Sequence, residues 1–248
     1  MIINAELKHI RSLHNKKGRY TYGQYIIEGR RLFQEAILTN ELLHLAYYTE
    51  NFQNSYPNLV NDIIKKCPTK KIKATEMKTV STTETPSGIL GICTIPDNYR
   101  PKDQLAGNWL FLDNISDPGN MGTLLRTAAW FGINKISLTG DCVDIYNPKV
   151  VRSGMGAHFN INCMLDSKLK QFATTHTIIA ADQHGHNLTQ IEISTPWVIV
   201  LGSEAHGISK NTRKCIKHFI AIPRIGAGES LNVAVAGGVM MAQLTAIN

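Results

Sequence analysis

Hydrophobic and polar positions alternate with two different rhythms along the chain. The first stretch opens with a basic, helical-looking segment. It carries Lys8, Arg11, Lys16, Lys17, Arg19, Arg30 and Arg31, with Tyr20, Tyr22 and Tyr25 interleaved. Ile26-Ile27 then predicts a short strand. Leu32, Ala36 and Ile37 recur at helical spacing over Glu28–Thr39. Leu43–Tyr48 predicts a second strand, Leu59–Cys67 a helix, Lys71–Lys73 a short strand and Gly88–Cys93 a last one. This alternation predicts a small α/β domain.

Prolines among polar neighbours from Pro96 to Asp103 read as a linker. The expected division is a first domain over 1–96, a linker over 97–107 and a second domain over 108–248. In the second domain, Trp109–Asp113 is a continuous apolar run, as in a strand buried on both faces. Asp117–Asn120 reads as a turn. Met121–Phe131 predicts a helix that stops at Gly132. Lys135–Leu138 predicts a strand, and Asn147-Pro148 an N-cap with proline at the first helical position. Further strands are expected over His158–Cys163, Thr177–Ala181 and Trp197–Leu201. Strands alternating with helices predict a mostly parallel sheet covered on both faces.

Composition narrows the classes. The chain has 248 residues, 43% hydrophobic and 18% charged, which fits a folded protein. The net charge of +7 favours a polyanionic partner. Cys67, Cys93, Cys142, Cys163 and Cys215 are odd in number and form no CxxC, against a disulfide framework or a zinc site. Met1–Glu6 lacks the pattern of a secretory leader. The longest apolar stretch, Leu231 to Leu244, is too short to span a bilayer. A cytoplasmic protein with no membrane and no metal is expected.

Three constellations carry candidate chemistry. Gly202 follows a run of apolar residues, where ligands of open α/β sheets bind. A glycine there lets a ligand approach the backbone or merely makes a tight turn. Ile222-Pro223 and Gly226-Ala227-Gly228 form a second loop, followed by Ser230 and Asn232, residues suited to capping a helix. Arg126 stands on a helix with apolar neighbours Leu124, Leu125, Ala128 and Ala129, which calls for an anionic partner or a wet cleft. Gly237-Gly238 inside an apolar helix suggests close packing, within the chain or across a dimer. Rossmann, P-loop and nucleophile-elbow patterns are absent. Asp182, His184 and His186 read as a polar loop.

In order, Asn120–Ala129, Val198–Gly207 and Ile222–Ala236 resemble the three motifs of the SpoU (TrmH-like) RNA ribose 2′-O-methyltransferases. The resemblance covers roughly residues 108–247. It implies an α/β SPOUT domain, a parallel sheet with a C-terminal trefoil knot, and S-adenosylmethionine as cofactor. Its cofactor contacts fall on Gly202, Ile222 and Leu231. Its active-site positions fall on Asn120, Arg126, Glu204, Ser230 and Asn232. Ser230 and Asn232 are expected to hold hydroxyl and cofactor, Asn120 to support Arg126, and Glu204 to pin the cofactor loop.

Tyr25–Gly29 and Thr85–Ile89 resemble the family's L30e-like substrate-binding domain. Lys16, Lys17 and Arg19 are the expected RNA contacts. The resemblance implies RNA as partner, ribosomal RNA ahead of tRNA, and a homodimer. A tRNA methyltransferase and a non-catalytic RNA-binding assembly factor are the alternatives.

Overall fold

A computed structural model describes residues 2–39, 43–101, 105–187 and 193–246. The expected linker overlaps positions 102–104, which lie outside the described residues. The chain divides into two compact units. One comprises Met1–Asp97 together with Asp144–Phe159; the other comprises Asn98–Val143 and Asn160–Asn248.

The first 97 residues supply α1 (Asn4–Ser12), α2 (Lys16–Tyr22), β1 (Gln24–Glu28), α3 (Arg30–Leu38) and β2 (Leu43–Thr49). They continue with α4 (Glu50–Ser55), α5 (Pro57–Lys66), β3 (Thr69–Ile72), α6 (Ala74–Val80) and β4 (Ile89–Thr94). The sheet order is β1-β4-β2-β3. β4 runs antiparallel to β1 and β2, while β2 and β3 are parallel. Ile10 and Leu13 from the first helix and its cap pack with Ile26, Tyr47, Leu90 and Ile92 from the strands.

The rest supplies β5 (Trp109–Asp113), α7 (Pro118–Trp130), β6 (Lys135–Leu138), α8 (Pro148–Gly154) and β7 (Asn162–Met164). β8 (Thr177–Asn187), β9 (Trp197–Gly202), α9 (Lys210–Arg213), β10 (His218–Ala221) and α10 (Val233–Ala246) follow. The six-stranded sheet has the order β10-β8-β9-β5-β6-β7, and each pairing is parallel. After β5 the chain builds outward through β6 and β7. It then returns to the other side with β8 and β9. The strand order therefore reverses between β5 and β9, and this switch point opens a crevice beyond their carboxyl ends.

Two sequence readings change here. His158–Cys163 is not one strand. Ala157–Phe159 form a single 3-10 turn, and β7 starts only at Asn162. The turn wins because His158 is drawn inside, its ring bonding Ile145 O at 2.7 Å. Asp182 and His184–His186 belong to β8, not to a loop outside it. Pairing with β10 jumps from Ala180 to His186, and Asp182 accepts from Arg213. An extension of this kind leaves His184 and His186 exposed, so no apolar alternation marks it.

The doubled glycine of α10 also finds its reason. A Cβ at Gly237 would lie 2.6 Å from a Leu124 methyl and 2.7 Å from a Leu201 methyl, so glycine lets α10 pack closely on α7 and β9 within the chain. A Cβ at Gly238 would meet only Thr127, at an ordinary 3.7 Å.

The Asp144–Phe159 segment completes the first unit. Asn147 caps α8 by accepting from Lys149 N at 2.9 Å. The Tyr25 and Tyr146 rings lie 4.9 Å apart, and Arg19 forms a buried ion pair with Asp144. His158 Nε2 donates to Ile145 O, while its Nδ1 is buried without a partner. A proton there would sit in an apolar setting, so burial pushes the imidazole down from 6.5 to about 4. A depressed imidazole gives stability that is complete above pH 6.5 and lost as pH falls toward 4. Lowering pH from 8 to 5 should therefore cost about 2 kcal/mol from this group, which denaturant titration of wild type against His158→Gln would isolate. Equal pH dependence in both proteins would contradict it.

Candidate active site

Three connections meet at the crevice. β5 ends at buried Asp113, whose Oδ2 accepts from Ser209 N at 2.7 Å. Asn114 then takes a left-handed conformation, φ 58°, and turns the chain toward α7. Asp117 caps that helix by accepting from Asn120 N at 2.7 Å, and Pro118 fills the first helical position. The stretch expected as a turn is thus the cap and first turn of the helix.

β9 ends at Gly202. Ser203 and Gly207 exchange backbone hydrogen bonds of 3.0 and 2.7 Å, closing a tight turn that presents Glu204. A Cβ on Gly202 would lie 2.5 Å from the Gly207 backbone, so the turn itself demands glycine. The third connection ends at Asn232, which caps α10 by accepting from Ala234 N at 2.9 Å and Val235 N at 3.3 Å.

These connections are tied by side chains. Glu204 Oε1 accepts from Asn120 Nδ2 at 2.6 Å, from Asn232 Nδ2 at 2.7 Å and from Val233 N at 3.4 Å. Asn232 Nδ2 also donates to Asn120 Oδ1 at 2.9 Å. A cleft of about 90 Å³ lies here, lined by Ser116, Asp117, Asn120, Ser203, Glu204 and Val233 among others. No histidine or cysteine lines it.

The structure thus gathers Asn120, Glu204 and Asn232, with Gly202 shaping the turn. It changes two expected roles. Asn120 does not support Arg126, because its amide bonds Glu204 and Asn232. Asn232 uses its amide within the cluster and its carbonyl as a helix cap. Arg126 is exposed on α7 and forms no ion pair among the described residues. Ile222, Ser230 and Leu231 do not line the cleft; Ser230 and Leu231 are exposed and Ile222 is half-buried.

On α2, Lys16 and Lys17 are exposed, and Lys16 Nζ sits 5.9 Å from the Tyr20 ring centroid. Arg19 is different. It is 2% exposed and donates to Asp144 and to Leu13 O, so it is not available to RNA. A buried arginine needs such partners, and its carboxylate lies 125 residues away in sequence. Sequence reading also missed Trp130, 85% exposed and four residues beyond Arg126 on α7. Its signal is a bulky apolar side chain one turn from a polar one on an otherwise packed helix.

Residues 108–242 match the model of the SpoU rRNA methylase family. The chain belongs to this SpoU family. It is accordingly an RNA methyltransferase of that family. Residues 4–91 match the MRM3-like substrate binding domain, so the first unit is the substrate-binding part.

The chain is 33% identical over 245 residues to an uncharacterized tRNA/rRNA methyltransferase of Synechocystis, covering 96% of this chain and 89% of that one. It is 28% identical to a 23S rRNA (guanosine(2553)-2′-O)-methyltransferase of Bacillus subtilis, covering 97% and 96%. A TrmH-family protein from Porphyromonas gingivalis shares the SpoU architecture, with a TM-score of 0.85, 27% identity and 98% of each chain covered. The S-adenosylmethionine-bound rRNA methyltransferase of Sinorhizobium meliloti shares the fold, with a TM-score of 0.83, 24% identity and 97% and 94% covered. Among the described residues no helix is long and apolar enough to cross a membrane.

Proposed function

We propose that the chain methylates the 2′-hydroxyl of a ribose in ribosomal RNA, using S-adenosylmethionine. The observation that carries this reading is the Asn120–Glu204–Asn232 cluster at the sheet's switch point. It joins all three segments of the SpoU resemblance in one place. The Bacillus subtilis relative, named for 2′-O-methylation of 23S rRNA, supports the choice of hydroxyl and of RNA class.

The donor set suits that cofactor. The cleft alone is smaller than the roughly 300 Å³ usual for a nucleoside-sized ligand. However, each residue from Pro223 to Asn232 is exposed, Ile225 completely and Leu231 by 52%. Apolar side chains held in solvent, next in sequence to amides and a carboxylate network, suit a ligand with an aromatic face and a cationic centre. Gly202, Ile222 and Leu231 would hold it, and when bound it supplies a methyl group activated on a sulfonium. The knotted threading of the C-terminal segment is part of the same reading.

Arg126 orients the RNA and stabilises charge developing on the 2′-oxygen. It acts through its charge and planar fork rather than as the base. The 2′-proton passes to RNA phosphate or water. Glu204 positions Asn120 and Asn232, and Ser230 is exposed in the loop two residues before Asn232. Lys16 and Lys17 contact RNA phosphate. Trp130 and Val235, 85% and 53% exposed, form the apolar surface of a homodimer interface.

Calorimetry should give one S-adenosylmethionine per chain, and purified protein should restore a missing 2′-O-methyl mark on rRNA from a deletion strain. Absence of both would remove the reading. Light scattering at micromolar concentration should return twice the chain mass; a fully active monomer would remove the dimer.

A further inference from the structure

We infer that the catalytic unit carries its own RNA-backbone contact, formed by Lys210, Lys214 and Lys217. This rests on the RNA reading above and extends it to a second surface.

The charge distribution is the first observation. Between Glu204 and Glu229 the chain has no acidic residue, yet it carries Lys210, Arg213, Lys214, Lys217 and Arg224. Five surplus positive charges therefore fall in one short segment of a chain whose total surplus is seven. A concentration of this kind attracts a polyanion and is unfavourable without one.

Packing then sorts these cations into anchored and free. Thr212 and Ile216 turn inward, 7% and 9% exposed. Arg213 pairs with Asp182 at 2.8 Å and lies over the Phe219 ring at 4.3 Å, so it fastens α9 to the sheet. Lys210, Lys214 and Lys217 are exposed and pair with no carboxylate among the described residues. Lys210 and Lys214 are one helical turn apart, with Cβ atoms about 5–6 Å from each other. Lys217 follows in the short stretch between α9 and β10 and is exposed as well.

Position is the third observation. Ser209 N donates to Asp113 Oδ2, which pins the start of α9 to the carboxyl end of β5. The same loop carries Glu204 five residues earlier. The free lysines therefore begin at the rim of the crevice on a fixed support.

The occupant is nucleic-acid backbone, not an acidic protein. A protein interface needs a buried apolar anchor at its centre. No large hydrophobic side chain from 205 to 218 is exposed. Phosphates need only charge, and lysine meets them as a point charge.

The test uses full-length protein and the rRNA fragment it methylates, with affinity measured across a salt series. Lys210→Ala/Lys214→Ala/Lys217→Ala should make the slope of log K against log salt shallower by about 2 to 3. S-adenosylmethionine affinity and the single-turnover rate at saturating RNA should stay unchanged. The triple lysine-to-arginine variant should keep the wild-type slope, since charge is retained. Lys16→Ala/Lys17→Ala should add its own decrement independently. An unchanged slope in the alanine triple would overturn the proposal, as would an equal loss in the arginine triple. A wild-type protein with no salt-dependent RNA binding would instead overturn the RNA reading itself.

Discussion

Exchanging Arg126 for lysine should slow single-turnover methylation on the order of 10²-fold, about 3 kcal/mol of transition-state stabilisation. Lysine keeps the charge but loses the planar fork that can grip a phosphate and an oxygen together. Arg126 is exposed and has no ion pair among the described residues, so the exchange disturbs little packing. Cofactor affinity should therefore remain near wild type. The measurement pairs a single-turnover assay on the true RNA with cofactor titration. Near-normal turnover would take Arg126 out of the mechanism; a parallel loss of cofactor binding would contradict the separation of roles.

Gly202→Ala should be the most damaging small substitution in the site. Its Cβ would come within 2.5–2.6 Å of backbone atoms of Gly207 and Ile208, where no flexible side chain can yield. The turn must open, and Glu204 moves with it. We expect a loss of about 2 kcal/mol, which lowers Tm by roughly 4–8 °C in a chain of this size. Methylation should fall further than stability explains, because the acceptor for Asn120 and Asn232 is displaced. Thermal unfolding and activity below the transition would show both. A variant with wild-type Tm would mean the turn adapts freely.

Much of this was legible in the sequence, for physical reasons. β5 and β9 are uninterrupted apolar runs, the signature of strands covered on both faces. Glycine and capping residues marked the three loops of the site, because turns and helix ends restrict which residues fit. What was hidden depended on distance or shortness. α4 and α6 have six and seven residues, too few turns to display a period. Arg19 reads as another surface cation because its partner, Asp144, is 125 positions away. Asn120 seemed a support for Arg126 on the same helix, but its partners come from the β9 turn and the α10 cap. Gly237 offered two explanations until Leu124 and Leu201 were seen against it.

The substrate-binding unit is discontinuous in sequence, since Asp144–Phe159 belongs to it although it follows β6. Recombination or gene fusion that exchanged only the first 97 residues would transplant an incomplete fold. The newcomer would have to match Asp144, Tyr146 and His158, residues encoded inside the stretch that matches the methylase family. An exchange confined to the first 97 residues would therefore leave behind α8 and the turn that carries His158, and with them part of the unit's packing.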